Sequence, residues 1–195
     1  MNLPNQLTLI RIVLAFIFVY FISQDGLAYI VVATILFVLA CLTDFADGRI
    51  ARQYGMTSDF GKLMDPIADK FLILAAFLSF VRMQIVENWM VLLILGREIV
   101  VTGLRIFALT HGKVLAAERA GKHKTVSQMV AIFAVLGFII FKESLSRVYQ
   151  WSSHVEIWWE CGIDLLMLVT VALTLISGLS YLWNNRKLIY VQDSD

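Results

Sequence analysis

The chain has 195 residues, 59% of them hydrophobic and 16% charged, with a mean hydropathy of +0.78. A soluble globular domain carries about 25% charged residues, so this composition excludes an ordinary water-soluble domain. The net charge of +1 identifies no partner, and no nucleic-acid partner is expected.

In chain order, the apolar segments are residues 9–22, 27–41, 71–81, 89–109, 129–141 and 165–183. Several fall short of the roughly 20 residues that cross a bilayer. Half-polar flanks such as 41–51 and 60–70 extend them. The expected fold is therefore all-α, an integral membrane bundle of six transmembrane helices, in a single domain over 1–195. Arg11 interrupts the first apolar run and no small-x-small cleavage pattern follows it, so an uncleaved span is expected, not a secretory signal. Six spans put both termini on one side. Assigning each Lys and Arg to its nearer end places 13 of 16 there, leaving Arg82, Lys142 and Arg147 opposite. The positive-inside rule then makes that side cytoplasmic, in a cell inner membrane. Cys41 and Cys161 fall near or within apolar runs and read as small buried side chains.

Between the second and third segments, residues 43–70 (TDFADGRIARQYGMTSDFGKLMDPIADK) concentrate ionisable groups where lipid should be. A charge at the bilayer centre costs about 2.5–3.5 kcal/mol on insertion scales. Asp44, Asp47, Gly48, Ala51 and Arg52 form one helical stripe. After a break around Gly55, Gly61, Asp65 and Asp69 form a second. Lipid cannot solvate such faces, so the two helices are expected to turn them towards each other. Four carboxylates in one pocket repel, and a divalent cation relieves that repulsion. An all-oxygen donor set suits Mg²⁺ or Mn²⁺, and four aspartates suffice for two ions clamping a phosphoryl displacement. Glycines let a bulky group approach the backbone. The plainer alternative makes Asp44–Arg52 and Asp65–Lys62 structural ion pairs, but structure alone rarely needs four acids on two facing stripes.

The pattern Asp44-x-x-Asp47-Gly48-x-x-Ala51-Arg52, eight residues, then Gly61-x-x-x-Asp65-x-x-x-Asp69 resembles the signature of the CDP-alcohol phosphotransferase family. The signature covers 26 residues, and the six-span layout fits the family along the whole chain. The resemblance implies that Asp44, Asp47 and Asp65 bind two metals, with Asp69 completing the site and serving as general base. It implies that Gly48, Ala51 and Gly61 shape a cytidine nucleotide pocket and that Arg52 meets its phosphates or holds an acidic neighbour. A homodimer through the spans is also implied.

The signature leaves the acceptor open. Outside it, Asn2-Leu-Pro4-Asn5-Gln-Leu-Thr8 with Arg11, the run Arg97 to Arg105, and Gly121-Lys122-His123-Lys124-Thr125-x-x-Gln128 are similar to the bacterial phosphatidylglycerophosphate synthases of that family. That likeness implies CDP-diacylglycerol as donor, bound in part by Asn5 and Thr8, and glycerol 3-phosphate as acceptor. The residues themselves favour an anionic acceptor. Glu98, Thr102 and Arg105 share a stripe in the fourth segment, and Gly121, Thr125 and Gln128 share one at the start of the fifth. Arg97, Arg105, Arg119, Lys122 and Lys124 are the expected phosphate-binding cations. For Lys113, Arg119, Lys122 and Lys124 the alternative is a cytoplasmic loop obeying the positive-inside rule.

Pro66 follows Asp65 directly and predicts a local bend. Glu160 and Asp164 are expected at the opposite membrane face, and Trp151, Trp158, Trp159 and Trp183 in interfacial belts. Two other functions compete: the same chemistry on inositol phosphate or phosphatidylglycerol, and divalent-cation transport through intramembrane carboxylates. Against transport, the acids gather at one face and no pair of broken helices is evident.

Overall fold

The computed structural model describes residues 3–54, 59–110, 120–145 and 153–186, with side chains over 9–43, 70–108, 124–145 and 155–186. These residues form six α-helices and no strand: α1 (Leu3–Ile22), α2 (Leu27–Tyr54), α3 (Asp59–Arg82), α4 (Asn88–Thr110), α5 (Ala120–Leu145) and α6 (Ser153–Asn184). Each contains one of the six apolar segments. The polar flanks continue the helices: α2 runs through the whole first aspartate stripe, and α3 runs from Asp59 through Pro66 and the second.

Two tight turns are resolved at one end of the bundle. Between α1 and α2, Gly26 takes φ +117°, a conformation open to glycine, and its carbonyl accepts from Tyr29 and Ile30 to start α2. Between α3 and α4, the Ile85 amide donates to Phe80 and the Gln84 amide to Val81. This is a Schellman closure, with Gln84 at φ 58° in the place glycine usually takes.

Aromatic and branched side chains weld the helices. α1 packs along both α2 and α3, and α2 and α3 also meet. Phe18 on α1 lies 5.6 Å from Phe37 on α2, and Phe37 lies 5.6 Å from Phe133 on α5. Phe16 reaches Phe71 on α3 at 5.1 Å. α6 packs on α4 and α5. Large apolar residues also point outward all around the bundle, among them Phe16, Leu92, Ile99, Leu165, Ile176 and Leu179, each more than 60% exposed. Among the described residues, two helical stretches, Lys124–Leu145 and Val155–Asn184, are long and apolar enough to cross a membrane, and Leu9–Ile22 and Leu27–Thr43 are shorter apolar stretches.

Candidate active site

The aspartates lie on two consecutive antiparallel helices. Asp44 and Asp47 stand ten and seven residues before the end of α2; Asp65 and Asp69 stand six and ten after the start of α3. The intervening residues 55–58 can span at most about 18 Å, so the two ends stay close. At 1.5 Å rise per residue, Asp47 and Asp65 sit about 10 Å from those ends, and Asp44 and Asp69 about 15 Å. Measured along their own helices, the four therefore stand at two depths from the intervening residues. The side chains of all four, and of Asn5, Thr8, Gly48, Ala51, Arg52, Gly61 and Lys122, lie outside the described residues, as does Arg119 altogether. Among the described side chains, no group of three or more His, Cys, Asp or Glu could hold a metal.

One residue beyond Asp69, the structure becomes explicit. The Lys70 ammonium lies 3.2 Å from Glu98 Oε2 on α4. The other carboxylate oxygen, Oε1, accepts from Arg97 Nη1 at 3.3 Å and from Lys124 Nζ on α5. Lys70 stands near Oε2 without the alignment of a hydrogen bond, so that contact is chiefly coulombic. Glu98 thus ties α3, α4 and α5 together as the shared partner of three cations. Glu98, Arg97 and Lys124 side chains are only 12%, 8% and 7% exposed. Removing such groups from water costs several kcal/mol per ion, a cost that packing alone does not demand.

Arg97 reaches this position through α6. Its Nη2 donates to Ser177 Oγ at 2.9 Å, and its stem passes directly over Gly178. A Cβ at Gly178 would stand 2.7 Å from Arg97 Cγ, so the glycine is what admits the arginine. Ser177 belongs to a buried polar stripe on α6: Thr170, Thr174, Ser177 and Tyr181. Thr170 Oγ1 donates to its own helix at Leu166 (2.9 Å) and makes a longer bond to the Ser127 carbonyl on α5 (3.4 Å). This stripe was absent from the sequence reading, although its i, i+4, i+7, i+11 spacing in an apolar helix was visible. Lys70 was not among the expected phosphate-binding cations, yet it meets Glu98.

Of the expected cations, Arg97 and Lys124 come together at Glu98. Arg105 does not join them. It stands seven residues further along α4, about 10 Å, with its guanidinium 6.0 Å from the Tyr181 ring centre. The two predicted stripes on α4 and α5 do face one another: Glu98 and Thr102 share one cavity with Thr125 and Gln128. At the far end of the bundle, Arg82 donates to Ser23 and Lys142 pairs with Glu156, both in exposed positions. Trp158 and Trp159 mark the start of α6 and Trp183 its end.

Comparison with known proteins places this arrangement. Residues 1–176 match the family model for CDP-alcohol phosphatidyltransferase. A Bacillus subtilis protein named CDP-diacylglycerol–glycerol-3-phosphate 3-phosphatidyltransferase is 36% identical, over 94% of this chain and 95% of its own length. A Rickettsia felis protein of the same name is 38% identical over 92% and 93%. A Mycobacterium tuberculosis protein named probable phosphatidylglycerophosphate synthase is 43% identical over 67% of this chain and 64% of its own. The aspartate levels on α2 and α3 lie within the matched residues, and the chain belongs to the CDP-alcohol phosphatidyltransferase family.

Proposed function

We propose that the chain transfers the phosphatidyl group of CDP-diacylglycerol to glycerol 3-phosphate, releasing phosphatidylglycerophosphate and CMP. The observation that carries this reading is the juxtaposition at Asp69 and Lys70. The last aspartate of the signature is followed immediately by a cation bound into the Glu98 cluster, whose three cationic side chains are groups that suit a phosphorylated acceptor. The relatives' printed names carry the same donor and acceptor.

Asp44, Asp47, Asp65 and Asp69 are the ligands we assign to two divalent ions, Mg²⁺ or Mn²⁺. The all-carboxylate donor set at two matched levels fits hard cations, which would supply charge neutralisation for the phosphates. Asp69 takes the proton of the acceptor hydroxyl. The freed oxygen bonds to the phosphorus that carries the lipid, and the bond from that phosphorus to CMP breaks. Arg52, Gly48, Ala51 and Gly61, with Asn5 and Thr8, hold the CDP-lipid head. Arg97 and Lys124 bind the acceptor phosphate, and Arg105, Arg119 and Lys122 extend that positive surface outward.

The same reading makes this a multi-pass protein of the cytoplasmic membrane, with both termini and the aspartates at the cytoplasmic face. Outward-facing apolar residues suit a lipid surround. Trp159 and Trp183 are separated by 24 residues of α6, about 36 Å, close to the span between two membrane interfaces. In the sequence the apolar run 27–41 of α2 gives way to charged residues at Asp44. The carboxylates therefore sit at the edge of the hydrocarbon, where a nucleotide head can reach them while its lipid stays in the bilayer.

The test is CMP release by the purified protein in lipid vesicles with CDP-diacylglycerol and Mg²⁺. Glycerol 3-phosphate, inositol phosphate, serine and phosphatidylglycerol are supplied separately. Release with glycerol 3-phosphate alone is expected; release with another acceptor overturns the acceptor assignment, and metal-dependent release with none overturns the enzyme.

A further inference from the structure

We propose that the cavity between α3, α4 and α5 receives one acyl chain of the CDP-linked lipid, with the Gln128 amide donating to that chain's ester carbonyl. This rests on the reading of the chain as a phosphatidyltransferase.

The cavity holds about 370 Å³ and has two unlike ends. Its walls are apolar, from Phe71, Leu74 and Phe77 on α3 and Ile94, Leu95 and Ile99 on α4. From Phe71 to Phe77 the wall extends six residues along α3, about 9 Å. The polar end is formed by Lys70, Glu98, Thr102, Lys124, Thr125 and Gln128. Lys70 and Lys124 are both paired with Glu98 there. Gln128 differs: it is 2% exposed, and its Nε2 has no hydrogen-bond partner.

The occupant follows from these two ends. A small, fully polar acceptor would leave the aromatic and branched walls facing nothing they can pack against. A pure hydrocarbon would leave the Gln128 donor unsatisfied in a buried place, which structures avoid. An ester carbonyl only accepts and an amide NH₂ only donates, so a fatty ester matches both ends at once. The position suits the lipid substrate, because Lys70 at the polar end follows Asp69 in the chain. Entry is lateral: Ile99 is 70% exposed at the cavity's side, and Gly103 beside it is open, a Cβ there meeting nothing within 4 Å.

That open glycine supplies a clean test. Gly103→Leu fills the cavity without a clash at its Cβ. With the reconstituted protein and glycerol 3-phosphate, the variant is expected to raise KM for dioleoyl CDP-glycerolipid by about tenfold, the scale on which apolar pockets discriminate. The dihexanoyl lipid should be affected much less, and KM for glycerol 3-phosphate should not move. Gln128→Leu should weaken use of the ester-linked lipid but make no difference with the ether-linked analogue, which has no carbonyl. Equal effects on long and short chains, or on ester and ether lipids, overturn the assignment. So does a changed monomer–dimer balance in Gly103→Leu with chain preference intact, which would give the cavity to a second copy. Absence of CMP release by the unaltered protein would instead defeat the phosphatidyltransferase reading itself.

Discussion

Ion pairs occur at both ends of the bundle, and they differ in kind. Near the aspartate level, Glu98 gathers Lys70, Arg97 and Lys124 from three helices in a largely buried site. At the far end, Lys142 and Glu156 pair with side chains 47% and 37% exposed, and Arg82 meets only the Ser23 hydroxyl among its described partners. The exposed pair stays in high dielectric and contributes little. The buried cluster carries a desolvation cost that a purely apolar contact would avoid. Charge kept under those conditions points to work on a charged substrate. On the proposed function, the buried cluster marks the working end of the molecule and the exposed pairs lie at the end where the turns close.

The largest expected effect falls on the reacting end. Asp69→Asn should lower the rate of CMP release by roughly a hundred- to ten-thousand-fold, the range for loss of a general base. Metal-dependent binding of CDP-lipid should survive; its loss as well would make Asp69 chiefly a ligand. Next comes the hub. Glu98→Ala removes the carboxylate that three cations share and should destabilise the fold by about 3–5 kcal/mol, read as a lower melting temperature in detergent. An unchanged melting temperature would mean the cations relax into water, and the contrast between the two ends would weaken.

Gly178→Ala sharpens the contrast without deleting a charge. Its Cβ would push against the stem of Arg97 and draw the guanidinium from Ser177. One hydrogen bond to a charged group is worth about 1.5 kcal/mol, so KM for glycerol 3-phosphate should rise roughly tenfold. KM for the CDP-lipid should change far less; an equal rise in both would place Arg97 outside acceptor binding. The smallest effect is expected at the far end. Lys142→Ala should cost under about 1 kcal/mol in stability and leave both KM values alone.

Much of this was legible in the residues. The aspartate spacing could be read because helical periodicity is local: i, i+3 and i+4 share a face whatever surrounds the helix. Six apolar segments gave six helices for the same reason, since the bilayer or a bundle core imposes a length on each one separately. The polar flanks could be joined to those segments because a helix continues through polar residues that keep its spacing. α3 is one helix through Pro66, and the contacts of Arg52 concern a side chain outside the described residues.

Partnership was not legible, because it depends on which faces of distant helices meet. By sequence alone Arg97, Arg105 and Lys124 were equivalent cations near one membrane face. Packing of α4 between α3 and α6 brought Arg97 and Lys124 to Glu98 and left Arg105 beside Tyr181. Glu98 itself read as one member of a stripe; only the approach of α3 and α5 made it a hub. The polar stripe of α6 had the right spacing to be seen, yet its significance lies in Arg97 crossing from another helix over Gly178. The sequence by itself determined the helices, the aspartate pattern and the family, because each depends on spacing along one chain segment. The tertiary structure alone decided which charges share a carboxylate and where an apolar cavity opens beside them, because burial and pairing are set by surfaces far apart in the chain.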